Sequence, residues 1–209
     1  MAGRPLALST VTGLLGSRRQ LLFNIAVVGL SSVGVKLAGM ARDVVLASEF
    51  GTSDSADAFI AAFAIPQFMA VIFGNAFAGV IIPLHAEAQR QQDDAHARRF
   101  LSEMVLIGLV SMALVTLLLW PLRDLLLPLV TSNFGPEKLA ETRELWLIML
   151  PTTFLVAMGT LWSGMLNTDD RFGLAAISPA LIPVFTIGAL LFYPQGGIQS
   201  PAVGFVVGT

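Results

Sequence analysis

Apolar residues along the chain run in long blocks broken by short clusters of charge. Each block approaches the roughly 20 residues an α-helix needs to cross a hydrocarbon core. The blocks run from about Leu21 to Leu46, Ala56 to Leu84, Phe100 to Leu119, Leu145 to Leu166 and Phe172 to Tyr193. A sixth opens at Pro201, is still apolar at Val207 and reaches the chain end at Thr209, too short to cross, so the chain reads as truncated. The pattern predicts an all-α, polytopic transmembrane bundle of about five complete spans plus the start of a sixth. The expected division is a lead-in over residues 1–20 and a transmembrane helical domain over 21–209, incomplete at its C-terminal end.

Composition agrees, with 55% hydrophobic residues, 12% charged residues and a mean hydropathy of +0.77. Soluble domains carry roughly a quarter charged residues. The net charge of -2 and the absence of a basic stripe exclude nucleic acid as a partner. With no cysteine, disulfides, thiolate metal sites and thiol nucleophiles are excluded.

The positions of the charges say more than their sum. Arg4, Arg18, Arg19, Arg90, Arg98, Arg99 and Arg171 fall on one side of the expected spans, and Arg42, Arg123, Lys138 and Arg143 on the other. The positive-inside rule then puts the N-terminus in the cytoplasm. Trp120 and Trp146 would lie at the outer interface, where indole rings prefer to sit. Between them, Asn133-Phe134-Gly135-Pro136 signals a turn and Glu137 to Glu144 a short surface helix.

The first span carries unusual chemistry. Ser32, Lys36 and Asp43 share one helical face, with Arg42 beside Asp43. An ionisable residue inside a span marks a functional site, whereas the plain alternative is a lysine snorkelling to the headgroups. Lys36 lies about 10 Å inside the outer end, deep enough to favour a cavity or a partner. Asp54 is a candidate N-cap for the second helix, and Asp57 either caps the helix dipole or pairs with Arg42 or Lys36 across the hairpin. Pro66 and Gly74 can bend the second helix, as Gly39 can the first. Small residues at Gly159 and Ser163, and at Gly204 and Gly208, can bring helices close. His85 and His96 read as solvated loop, and Asp169-Asp170 is a thin basis for a Mg²⁺-dependent transferase, so no metal site is expected.

Val35-Lys36-Leu37-Ala38-Gly39-Met40-Ala41-Arg42-Asp43, then Phe50-Gly51, Ala56-Asp57-Ala58-Phe59 and Ile65-Pro66, resembles the start of the MurJ/MviN family of lipid-linked glycan flippases. Ile72-Phe73, Ala76-Phe77, Pro83, Leu166-Asn167, Arg171-Phe172 and Pro179 extend the resemblance over roughly Asn24 to Leu190. It implies the multidrug/oligosaccharidyl-lipid/polysaccharide exporter fold, with two helical lobes about a cationic cavity, this chain supplying most of the N-terminal lobe. It further implies transport of a polyprenyl-diphosphate-linked saccharide across the bacterial cytoplasmic membrane, with no cofactor and no bond made or broken. The drive would be a coupling ion or the membrane potential.

On that resemblance, Lys36 and Arg42 would bind the substrate diphosphate, Asp43 and Asp57 would form gating or charge pairs, and Gly39, Pro66 and Gly74 would act as hinges. Lys36 stands where the family usually has Arg. Where bacterial lipid II flippases carry an Arg-Arg pair and then a Glu in the second span, this chain has Ala70-Val71 and then Gly74-Asn75. The substrate is therefore either a peptidoglycan precursor or another lipid-linked saccharide such as an exopolysaccharide unit. A drug/cation antiporter of the same superfamily is the alternative transporter, and a membrane-embedded glycosyl or prenyl transferase the alternative enzyme.

Overall fold

The structure, a computed structural model, describes residues 7–51, 53–90, 95–169 and 172–209; side chains at 7–25, 89, 96–98 and 172 are outside the description. The first two helices are long: α1 (Ala7–Phe50) and α2 (Asp54–Arg90). They meet at Gly51, whose φ of +58° suits a residue without a Cβ. α3 (Ala95–Leu119) returns to the end of the bundle that bears Gly51, here called upper. There a short α4 (Arg123–Leu126) and a 3₁₀ turn (Leu127–Leu129) cross to α5 (Pro136–Met149). α6 (Pro151–Thr168), α7 (Phe172–Ile177), α8 (Leu181–Phe192) and α9 (Gln199–Gly208) follow.

Four helical stretches have the length and apolar composition to cross a membrane among the described residues: Asp54–Ala88, Arg99–Leu119, Pro136–Thr168 and Gly173–Phe192. The chain is a multi-pass membrane protein. α1 is not among the four, because Lys36, Arg42 and Asp43 crowd its described half. Its 44 residues reach about 66 Å, twice the roughly 30 Å of a hydrocarbon core. Residues 7–20, expected to form a separate lead-in, continue this same helix.

The surface helix expected over Glu137 to Glu144 is the upper part of a longer rod. Leu150 keeps helical φ and ψ between α5 and α6, so Pro151 removes one hydrogen bond without ending the span. In the stretch Gly173–Phe192, Pro179 falls in a 3₁₀ turn at Ser178–Ala180 that separates α7 from α8, whereas Pro183 lies within the first turn of α8.

Packing centres on α2. Ala58, Ala62, Pro66, Ala70, Gly74 and Ala78 recur every fourth residue and are all buried. Such a row forms a low ridge against which α5 and α6 lie closely. A Cβ on Gly74 would sit 3.1 Å from Ala157 Cα, so glycine sets the α2–α6 separation there. α9 packs on α8 by the same means, since Cβ atoms on Gly204 and Gly208 would collide with backbone at Phe185, Thr186 and Ile182. Gly159, by contrast, faces open space, and Ser163 is half-buried. The densest core lies in the upper half, where Leu119, Leu127, Leu145, Trp146, Met149 and Phe205 meet. Trp146 is therefore a fully buried core residue and not an interfacial one, while Trp120 is 59% exposed.

Candidate functional site

α1 packs along α7 and α8 and touches α2 only near their shared turn. Among the described side chains of α1, residues 26–50, the pattern of burial separates two faces. Ser31, Val35, Ala38, Arg42 and Val45 are partly buried, whereas Ser32, Lys36 and Asp43 lie exposed. The polar stripe expected from spacing thus lies on the uncovered face, together with Val33, Leu37, Met40 and Val44. Ser32 itself donates to the Val28 carbonyl at 2.7 Å, which satisfies its hydroxyl within the helix.

Arg42 is directed toward the bundle. Its Nε and Nη2 donate to Asp43 Oδ1 at 2.9 and 2.7 Å, and its guanidinium carbon lies 5.8 Å from the centre of the Phe205 ring. Phe205 in turn meets Phe63 edge to face at 4.7 Å. The aromatic face and the adjacent carboxylate fix the guanidinium while using two of its five N–H donors. Asp43 also borders a cleft of about 230 Å³ between the upper ends of α1 and α2, floored by Phe50, Phe59 and Ile198.

Asp57 does not pair with Arg42 or Lys36. Its carboxylate accepts from Lys138 Nζ at 2.6 Å, and Asp54 accepts from the same ammonium at 3.0 Å. The reason is the path of α5, which runs beside the start of α2 and brings Lys138 closer than anything on the splayed α1. Lys138 also lies 4.3 Å from the Phe134 ring centre. Ser55 donates to Glu141 at 3.1 Å and Gln199 to Glu144 at 3.2 Å, so polar contacts stitch α5 to both α2 and α9. The N-cap of α2 is Ser53, whose hydroxyl accepts the Ala56 N–H at 3.3 Å; Asp54 is left to bind Lys138.

Of the three expected hinges, Gly39 has nothing near it, Pro66 is buried and Gly74 is wedged against α6. α1 and α2 stay helical through all three. The Pro66 carbonyl accepts from the Thr153 hydroxyl at 3.4 Å, a cross-helix bond at the position where proline weakens the helix ladder. The row that would bear the family's Arg pair is divided: Ala70 and Gly74 are buried against neighbours, Val71 and Asn75 are exposed. At the lower end, His85 sits on α2 and not in a loop, and its Nε2 meets Asp169 Oδ1 at 2.8 Å. His96 and Asp170 have side chains outside the description. Among the described residues, no three His, Cys, Asp or Glu side chains gather as a metal site.

Comparison with known proteins decides the family. The profile of the family described as "Lipid II flippase MurJ" matches residues 46–209. The chain belongs to the MurJ family. The lipid II flippase MurJ of Thermosipho africanus is 27% identical over 191 residues, covering 90% of this chain and 39% of that protein. A probable lipid II flippase MurJ of Haemophilus influenzae is 30% identical over 190 residues, covering 83% of this chain and 36% of the relative. The chain thus spans less than two fifths of the length of these MurJ relatives.

The solved structure of a lipid II flippase MurJ in an inward closed conformation superposes with a TM-score of 0.73 at 24% identity, over 87% of this chain and 39% of that one. A MATE crystal structure in complex with MaD3S gives 0.66 at 20% identity, over 87% of this chain and 40% of that one. Both likenesses concern the fold alone.

Proposed function

We propose that this chain is the N-terminal lobe of a flippase that carries a polyprenyl-diphosphate-linked saccharide across the bacterial cytoplasmic membrane by alternating access. Its reaction is transport, not catalysis. The observation that carries the reading is the exposed Ser32–Lys36–Asp43 stripe on a helix of membrane length, in a chain of the MurJ family. A lysine facing lipid at that depth is costly, so the stripe borders a cavity whose other wall is a second lobe.

A lipid diphosphate loses its hydration on crossing and needs positive charge along its path. Lys36 supplies a mobile point charge and Arg42 a fixed guanidinium held by Asp43 and Phe205. Asp43 acts as the gating partner of Arg42, releasing it as substrate phosphate competes for the same N–H groups. Asp57 with Lys138 is the upper latch, holding α5 on α2 while the lobe moves as one body. Gly39 and Pro66 are the bending points, and Gly74 is the contact on which α2 moves against α6.

The membrane domain takes in residues 21–209, with α1 continuing back through residues 7–20 toward the cytoplasm, the side that the surplus of arginines favours for the N-terminus. The substrate is a peptidoglycan precursor or a related lipid-linked saccharide, with cations in the second lobe replacing the Arg pair absent at Ala70-Val71. A coupling ion or the membrane potential drives the cycle. The reading is tested by reconstituting the full-length protein in vesicles and measuring the accessibility of a fluorescent polyprenyl-diphosphate saccharide in each leaflet. Redistribution in its presence is expected; no redistribution in any ion gradient or potential contradicts the reading.

A further inference from the structure

The segment between α3 and α5 has features that the transport cavity does not use. Trp120, Leu125 and Leu129 project from the upper rim with 59, 70 and 75% of their surface exposed, Leu125 and Leu129 being one turn apart. Leu127, in contrast, is 1% exposed and anchors the segment in the upper core. Beside these apolar side chains, Arg123 and Arg143 converge on one carboxylate, Asp124, at 3.5 and 3.1 Å. Two guanidinium groups share one acid. Two other acids of α5 are engaged elsewhere: Glu141 accepts from Ser55 and Glu144 from Gln199, on the side facing α2 and α9.

Asp124 and Arg143 line a cleft of about 160 Å³ with Thr131, Ser132 and Leu139. That volume holds about five waters, room for a phosphate group. Thr131 spends its hydroxyl hydrogen on the Leu127 carbonyl, and Ser132 is exposed beside it.

We propose that this rim is a binding site for the phosphate of an anionic phospholipid. The headgroup phosphate seats at the cleft against Arg143, with Arg123 beside it on the shared Asp124, and the acyl chains run down past Leu125, Leu129 and Trp120. The chemistry is consistent at each level. A guanidinium left with free N–H donors pairs with phosphate in a planar fork, and the apolar side chains reach the depth of the upper acyl chains. Tryptophan beside them suits the same boundary. The site lies on the rim between α3 and α5, apart from the Ser32–Lys36–Asp43 stripe of α1.

The test uses the full-length protein in vesicles of equal parts phosphatidylglycerol and phosphatidylcholine. Bromine is placed on the chains of one lipid at a time, and the quenching of Trp120 is read as the difference from a Trp120→Phe variant. One surplus cation near the surface is expected to enrich phosphatidylglycerol about fivefold at Trp120. Arg123→Gln with Arg143→Gln brings the two lipids to parity, Arg123→Lys with Arg143→Lys retains much of the preference, and Arg99→Gln, at the opposite end of α3, leaves it unchanged. Equal quenching by the two lipids in the unmodified protein overturns the proposal, as does a preference that survives the double glutamine variant.

Discussion

Gly74 allows a quantitative test of how α2 and α6 are held. A methyl group there would meet Ala157 Cα at 3.1 Å and the Cβ atoms of Ala157 and Thr160 at 3.5 Å. The first distance demands a shift of a few tenths of an ångström in the backbone of α6, which side-chain rotation cannot provide. Gly74→Ala therefore sets a packing cost against the helix-propensity gain of about 1 kcal/mol, and stability should change by less than about 1 kcal/mol. Gly74→Leu adds three more carbons to the same contact and should destabilise by about 1–3 kcal/mol as the helices are forced apart. Gly79, five residues on, has no heavy atom within 4 Å of its notional Cβ. Gly79→Ala should thus be neutral or stabilising. The assay is reversible unfolding of the full-length protein in mixed micelles, followed by circular dichroism. A Gly74→Leu variant as stable as the unmodified protein would refute the close approach of α2 and α6.

Three further outcomes follow from the same contacts. Asp57→Cys with Lys138→Cys, in a chain with no native cysteine, should cross-link with a short bis-methanethiosulfonate reagent, which forms a disulfide to each thiol and releases methanesulfinate, whereas Asp57→Cys with Lys36→Cys should not. Lys138→Gln should raise hydrogen exchange at the start of α5 relative to its middle, because Asp54 and Asp57 lose their shared cation; unchanged exchange would dismiss the latch. Ser53→Ala removes the α2 cap and should cost about 1 kcal/mol, against a smaller effect for Asp54→Ala; the reverse order in the same unfolding assay would restore Asp54 as the cap.

The helices and the polar face of α1 were legible because hydropathy and the 3.6-residue period act locally. Lys36 and Asp43, seven residues apart, share the exposed face without reference to the rest of the fold. The partners of these charges were not legible. Asp57 and Lys138 are 81 residues apart, and only the docking of α5 on α2 brings them together. Trp146 misled for a related reason: an indole near the end of an apolar block reads as interfacial until Ala58 and Ala62 open space for it in the core. The row of small residues from Ala58 to Ala78 is present in the sequence, yet hydropathy hides it, since its neighbours are equally apolar and differ only in size. His85 shows the converse, a polar residue that reads as loop but extends α2 to meet Asp169.

The central claim is that the charges of α1 hold the diphosphate during passage. Its most direct test is leaflet-to-leaflet transfer of a polyprenyl-diphosphate saccharide by full-length protein carrying Lys36→Ala, Arg42→Ala or the charge-preserving Lys36→Arg, with membrane insertion measured in parallel. The account predicts that each alanine variant inserts normally but fails to transfer, and that Lys36→Arg transfers. Normal transfer by both alanine variants would contradict it.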